Sequence, residues 1–266
     1  MAVFIGGCGG GATAVPTVTV KPATEFDPGE NGDDPPTPPI TPGDEPKGEY
    51  GNLIGTFVYD GPVVTRASIA TGVKPEDKAI CVADKILSEK LIVNDGKLQN
   101  VFIYLPKAPR KGAKDIPIPE PINYDQKGCF FLSHATIVRA GQKISFLNSD
   151  GLSHNTNVIT INNEPFNQNI GPNNGVEHNF TENETKPVLV KCDIHAWMTA
   201  FMLVQDHGYN AVSGADGKFQ INDLPVGTHR FSIFHEGTVL NASFPVDIKP
   251  GDNDVGEIVF KAEAFN

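Results

Sequence analysis

The sequence predicts an all-β protein: a larger and a smaller β-sandwich behind a disordered N-terminal tether. Short apolar runs recur along the chain, separated by clusters of Gly, Asn, Asp and Pro. Glycine (27) and proline (22) are abundant, and only 20% of the 266 residues are charged, a balance that suits many turns between strands. No long stretch repeats its apolar residues at the spacing of a helix face; only Asp84–Lys90 has room for one or two helical turns.

The elements follow in order. Residues 9–49 hold nine prolines, eight acids and two lysines, with no hydrophobic period. Such a segment cannot bury enough apolar surface to offset its ordering entropy. It reads as an extended tether reaching at most about 120 Å. Order begins near Tyr50, where Leu53–Tyr59 alternates like a strand and Asp60-Gly61-Pro62 turns it. Leu91–Val93 and Val101–Leu105 flank Asn94-Asp95-Gly96, which predicts two strands joined by a turn. Ile137-Val138, Lys143–Leu147, Val158–Ile161, Val188–Lys191 and Phe201–Val204 are further strands. Near Asp206 a second unit starts, with a turn at Ala215–Lys218, a strand to Ile221, a turn at Leu224–Gly227 and a strand at His229–His235. The expected division is therefore 1–8, 9–49, a larger domain at 50–205 and a smaller one at 206–266.

Charge excludes some functions. The net charge is −11, and the tether alone supplies −6 of it. No basic patch interleaved with aromatics suggests nucleic acid. No run of eighteen apolar residues suggests a membrane span. Ile5-Gly6-Gly7-Cys8 resembles a bacterial lipobox, with Cys8 as the lipidated residue. Only Ala2–Ile5 is available as an apolar region before it, so the natural start is expected upstream. A lipid at Cys8 makes the membrane a partner only through the anchor. The expected location is extracytoplasmic, facing the periplasm or on the cell surface.

One stretch carries chemistry. Val188–Lys191 delivers Cys192, and His195 and Met198 follow at intervals of three. A thiolate and two imidazoles form a trigonal set that suits both Cu(I) and Cu(II), completed by a weak axial thioether. One loop supplies three of these donors. The second imidazole must come from elsewhere, and His154-Asn155 stands at the end of a polar loop after the Lys143–Leu147 strand. A zinc site would want a second close Cys or His pair, and a multicopper oxidase several His-x-His pairs; neither occurs.

This pattern resembles the small blue copper proteins, plastocyanin and amicyanin in particular, most closely over residues 129–205. The resemblance implies a Greek-key cupredoxin-like β-sandwich with one mononuclear Cu(I)/Cu(II) site. It makes His154 and His195 the equatorial imidazoles, Cys192 the thiolate, Met198 the axial ligand and Asn155 an outer residue that fixes the ligand loops to each other. Met202 is the competing axial candidate. Ala196 stands where many relatives have Pro, leaving the loop less restrained. The implied function is one-electron transfer between a donor and an acceptor redox protein, without enzymatic activity. The rivals are copper storage, delivery or sensing, a structural surface protein with a vestigial site, and catalysis at an open copper position. The wording around Asp216–Gly227 resembles carboxypeptidase regulatory-like β-sandwich modules, which usually act as scaffolds.

The remaining cysteines, Cys81 and Cys129, are the number needed for one disulfide, and two reduced core thiols are the alternative. A closed loop of about 48 residues would contribute roughly 4 kcal/mol in the chain-entropy model. Of the other histidines, His134 is read as structural, His207 and His235 as hydrogen-bonding at a domain interface, and His178 and His229 as solvent-exposed. The sequons at Asn179, Asn183 and Asn241 are read as chance.

Overall fold

The structure, a computed structural model, describes residues 49–70 and 72–265. The lipobox with Cys8 and the tether up to residue 48 lie outside the described residues. The protein is all-β, as its sequence predicts. Two 3-10 turns, Ala83–Lys85 and Ala262–Phe265, are the helical segments among the described residues, so the stretch to Lys90 winds for a single turn. No described helix is long and apolar enough to cross a membrane.

The first sandwich packs a three-stranded sheet on a five-stranded one. The former comprises β5 (Ile122–Gln126), β7 (Ile144–Asn148) and β10 (Asn174–His178), in the order β10-β7-β5. The latter comprises β6 (Ala135–Arg139), β8 (His154–Val158), β9 (Phe166–Ile170), β11 (Val188–Lys191) and β12 (Thr199–Gln205), in the order β6-β12-β11-β8-β9. β5 runs parallel to β7 and β6 parallel to β12; the remaining pairs are antiparallel. Tyr124, Phe146, Phe166, Phe180, Met202 and Val204 fill the space between the sheets.

The second sandwich draws on both ends of the described chain. One sheet is β1 (Tyr50–Asp60), β2 (Val93–Asn94), β3 (Lys97–Leu98), β14 (Lys218–Pro225) and β17 (Gly251–Lys261). The other is β4 (Phe102–Tyr104), β13 (Asn210–Val212), β15 (Gly227–His235) and β16 (Thr238–Ile248). β1 lies antiparallel to β14 and parallel to β17, and β4 lies between β13 and β15. The expected boundary at 205/206 is thus corrected. β1 and β4 pair with strands after 206, β2 and β3 join the same sheet through β1, and Leu53, Phe57, Leu98 and Ile103 share the core of those later strands. Strand alternation says that one face is buried, not which partner covers it.

The turn at Asp95-Gly96 forms with both residues at positive φ, 48° and 76°, as a tight hairpin requires. It joins β2 to β3, however, and not Leu91–Val93 to Val101–Leu105. β4 leaves for the other sheet, because Phe102 and Tyr104 pack on the first sandwich while Ile103 faces the second core. β12 explains its own continuous apolar run in the same way. Ala200, Met202 and Val204 point into the first core, whereas Phe201 and Leu203 meet Phe102, Tyr104 and Phe234.

Residues 61–70 and 72–92 form a strap. They leave β1, lay Ala70, Cys81 and Ile86 into the first core, and return to β2. The Cys81–Cys129 disulfide staples the strap to the first sandwich, with Cα atoms 5.3 Å apart.

Candidate metal centre

The loop Cys192–Met198 closes the β11–β12 hairpin beyond the Lys191–Thr199 pair. The Cys192 N–H donates to the Met198 carbonyl at 3.0 Å, and the Met198 N–H to the His195 carbonyl at 2.9 Å. These bonds fix the loop with no proline in it. His154 is the first residue of β8, which pairs with β11. Adjacent strands therefore bring the two ligand segments to one end of the sandwich.

The side chains converge. His154 Nδ1 lies 3.0 Å from His195 Nδ1, and Cys192 Sγ 4.0 Å from His195 Nδ1. One ligand atom from each of His154, Cys192 and His195 lies within 4.8 Å of the other two. The site is dry: relative exposures are 0% for His154, 2% for Cys192, 3% for His195 and 1% for Met198. Met198 belongs to the same apolar cluster as Cys192. Met202 pairs with Val188, three positions down the sheet from the Lys191–Thr199 pair, or about 10 Å at strand rise. That distance removes it from the loop.

Asn155 ties the loops together. Its backbone N–H donates to Cys192 Sγ at 3.3 Å, and its side-chain oxygen accepts the Asp193 N–H at 3.0 Å. Its amide also donates to Asn167 Oδ1 at 2.5 Å. The N–H directed at sulfur suits an electron-rich donor.

Two carboxylates, unforeseen from sequence, stand behind the imidazoles. Asp150 Oδ2 lies 2.7 Å from His154 Nε2 and Asp77 Oδ2 lies 3.5 Å from His195 Nε2. Burial pushes the Asp150 carboxyl up, but bonds from His154 and from the Cys129 and Gly128 amides outweigh it and hold it below the usual range. Burial, together with the neighbouring His195, holds His154 below the ordinary imidazole value against the pull of Asp150. A neutral His154 that donates from Nε2 keeps a lone pair on Nδ1. His154 Nδ1 and His195 Nδ1, 3.0 Å apart beside a sulfur, are close enough to share one proton or one cation between them. The donor set therefore fits a metal ion, and its one cysteine sulfur and two imidazole nitrogens match copper preferences. Cys129, Asp150 and His154 also cluster, but Cys129 is committed to the disulfide.

The other histidines do not join the donors. His134 lies between Glu236, 2.5 Å from Nε2, and Glu89, 3.3 Å from Nδ1. It lines a cavity of about 450 Å³ with Phe131, Trp197 and Met198. Burial alone would lower it, but the two glutamates push it up to about 9. His207 Nδ1 accepts the Tyr209 N–H at 3.2 Å. His235 is buried, and burial together with the His134 charge pushes it down to about 4. His178 and His229 are half-buried, not exposed: the former packs on Phe166 and Phe180, and the latter bonds the Pro225 carbonyl.

No family model and no curated protein matches the chain. Similar solved structures include a mutant of amicyanin in its Cu(I) form, 15% identical, covering 38% of this chain and 97% of that one at a TM-score of 0.29. A purple cupredoxin from Nitrosopumilus maritimus is 20% identical, covering 32% and 99% at 0.27. The Cu-containing nitrite reductase from Thermus scotoductus SA-01 is 23% identical, covering 37% of this chain at 0.29; the chain spans a quarter of that enzyme's length. What the centre can do is decided by its own donors.

Proposed function

We propose that the chain is a type 1 copper protein that carries single electrons between extracytoplasmic redox partners. The observation that carries this reading is the convergence of Cys192 Sγ, His154 Nδ1 and His195 Nδ1 at one dry end of the first sandwich. Copper held there by His154, Cys192, His195 and Met198 would supply a Cu(I)/Cu(II) couple. The chain's own part is to keep the donors in place through both oxidation states. The loop bonds and Asn155 do this for Cys192, and the strand pairing of β8 with β11 does it for His154. A buried disulfide suits an oxidising compartment, in keeping with a lipid anchor at Cys8. The second sandwich serves as scaffold, and no reaction is assigned to the chain itself.

The test is the visible and EPR spectrum of the Cu(II)-loaded chain beside Cys192→Ser. An intense thiolate-to-copper band with narrow parallel hyperfine splitting, absent from the variant, supports the reading. A pale wild type with ordinary tetragonal signals overturns it.

A further inference from the structure

The ligand atoms of both imidazoles face the centre, so their remote nitrogens decide how firmly they are held. Each remote nitrogen meets a carboxylate, buried for Asp150 and half-buried for Asp77, and both carboxylates trace back to the same cystine.

The first path runs through Asp150. Its Oδ1 accepts the Gly128 N–H at 2.7 Å and its Oδ2 the Cys129 N–H at 2.9 Å. Gly128 and Cys129 are consecutive left-handed residues, with φ of 63° and 62°. Successive amides in such a turn converge on one anion. Glycine adopts this conformation freely, but cysteine does so only at a cost of order 1–2 kcal/mol. Something must hold Cys129 there. The disulfide to Cys81 does so, helped by the Trp197 indole, which donates to the Cys129 carbonyl at 3.2 Å. Asp150 in turn bonds His154.

The second path runs through the strap. The Cys81 N–H donates to the Asp77 carbonyl at 2.8 Å, closing the turn that carries Asp77. Asp77 Oδ2 then faces His195 Nε2, which has no hydrogen-bond partner at closer range. The Cys81–Cys129 bond thus joins the segment that positions Asp150 to the segment that carries Asp77.

We propose that Asp150 and Asp77 are positioning residues for His154 and His195, held in register by the Cys81–Cys129 disulfide, and that this frame favours the more highly charged state of the bound ion. The proposal rests on the copper reading for its electrochemical part only. A carboxylate accepting Nε2–H fixes the tautomer that leaves Nδ1 free, and it makes that nitrogen a stronger donor. Two carboxylates behind the imidazoles add negative charge close to the ion without binding it, which stabilises Cu(II) over Cu(I).

The experiment compares the whole chain with Asp150→Ala, Asp150→Asn, Asp77→Asn and the double variant Cys81→Ala/Cys129→Ala. Histidine ring tautomers are read by nitrogen-detected NMR in the metal-free protein, and reduction potential and copper affinity in the loaded one. Near-ultraviolet circular dichroism selects folded variants, and the isosteric Asp150→Asn serves if Asp150→Ala does not fold. The metal-free wild type should hold His154 with its proton on Nε2, the nitrogen that faces Asp150. Asp150→Ala should mix the His154 tautomers and weaken copper binding 10- to 100-fold. Asp150→Asn, whose oxygen still accepts Nε2–H, should restore the tautomer yet keep a raised potential. Asp77→Asn should raise the potential by less, matching its longer contact, and the disulfide variant should mix tautomers and raise the potential in the same direction. Wild-type tautomer and potential in a folded Asp150 variant, or in the disulfide variant, overturn the proposal. A wild type without the thiolate band overturns the copper reading instead, and the metal-free tautomers then decide the frame by themselves.

Discussion

The first sandwich buries Gln126, Asn148, Asp150, His154, Thr156, Glu184 and His195 in or beside its core, whereas the second buries Ser232 and His235 on its strands and Ser213 just past the end of one. The second is filled by Phe57, Phe219, Phe231, Phe244 and Phe260 with Leu and Ile between them. Buried polar groups cost free energy unless each is bonded, so a fold retains them where position matters more than stability. Asn148 shows the pattern. Its amide donates to the carbonyls of Leu152, Ile170 and Gly171, and its oxygen accepts the Asp150 N–H, which shapes the loop that ends at His154. The contrast is between a sandwich that positions donors and one that supplies apolar mass.

The largest break of that contrast is a cavity in the apolar partner. Phe231 is fully buried, and Phe231→Ala should cost about 3–5 kcal/mol. The metal donors lie in the other sandwich, so the folded variant should keep the wild-type copper spectrum. Phe102, Tyr104, Phe201, Leu203 and Phe234 join the two sandwiches, however. In denaturant the copper band should therefore vanish in the same transition as the second sandwich, at a lower midpoint than in the wild type. A band that outlasts the loss of the second sandwich would show that the interface does not couple them.

The contrast was only half legible in the sequence. Cys192 and His195 stand within one loop, and their spacing alone brings their donor atoms together. His154 needed only the idea that adjacent strands share an end. Asp77 and Asp150 left no comparable signal, because their roles depend on where a strap and a left-handed cysteine turn come to rest. The misplaced boundary has the same origin. Leu53 and Phe57 announce a buried face, but their cover includes Ile258 and Phe260, some two hundred residues away. Nonlocal pairing of this kind is set by which faces are left over once each sheet has formed, and no local pattern records it.

A smaller effect tests the seam between the sandwiches. His134 lies between Glu89 of the strap and Glu236 of the β15–β16 turn, with His235 near it and Lys90 along the same cavity. Its folded pKa of about 9 lies above the ordinary imidazole value of 6.5. The unfolded chain therefore binds fewer protons than the folded one between those values. The stability gained is full below about pH 6.5 and is lost as pH rises through about 9, a change on the order of 3 kcal/mol. His235, held at about 4, gives the opposite slope on the acid side. Its share is present above about pH 6.5 and is lost as pH falls toward 4. Denaturation curves from pH 5 to 9.5 should show both slopes, and His134→Gln should remove the alkaline one while leaving part of the acid one. An unchanged alkaline slope in that variant would place its origin elsewhere.

The smallest effect sharpens what a buried polar group does when it lies away from the metal donors. Glu184 is fully buried, and its carboxylate accepts the backbone amides of Ile161, Asn162 and Asn163 and the Asn163 side chain, at 2.9 to 3.2 Å. The Glu184 N–H bonds the Val204 carbonyl, so the residue pins the connection after β8 to the end of β12. In Glu184→Gln one oxygen still accepts, but an amide NH₂ now faces backbone donors that bonded the second oxygen. That mismatch should cost about 1–3 kcal/mol. The loop from 159 to 163 lies at the opposite end of β8 from His154. The copper spectrum and potential should therefore stay at wild-type values while the denaturation midpoint falls. An equal shift in potential would mean that β8 transmits strain along its length, and the polar interior of the first sandwich would then act as one connected frame, not as separate local anchors.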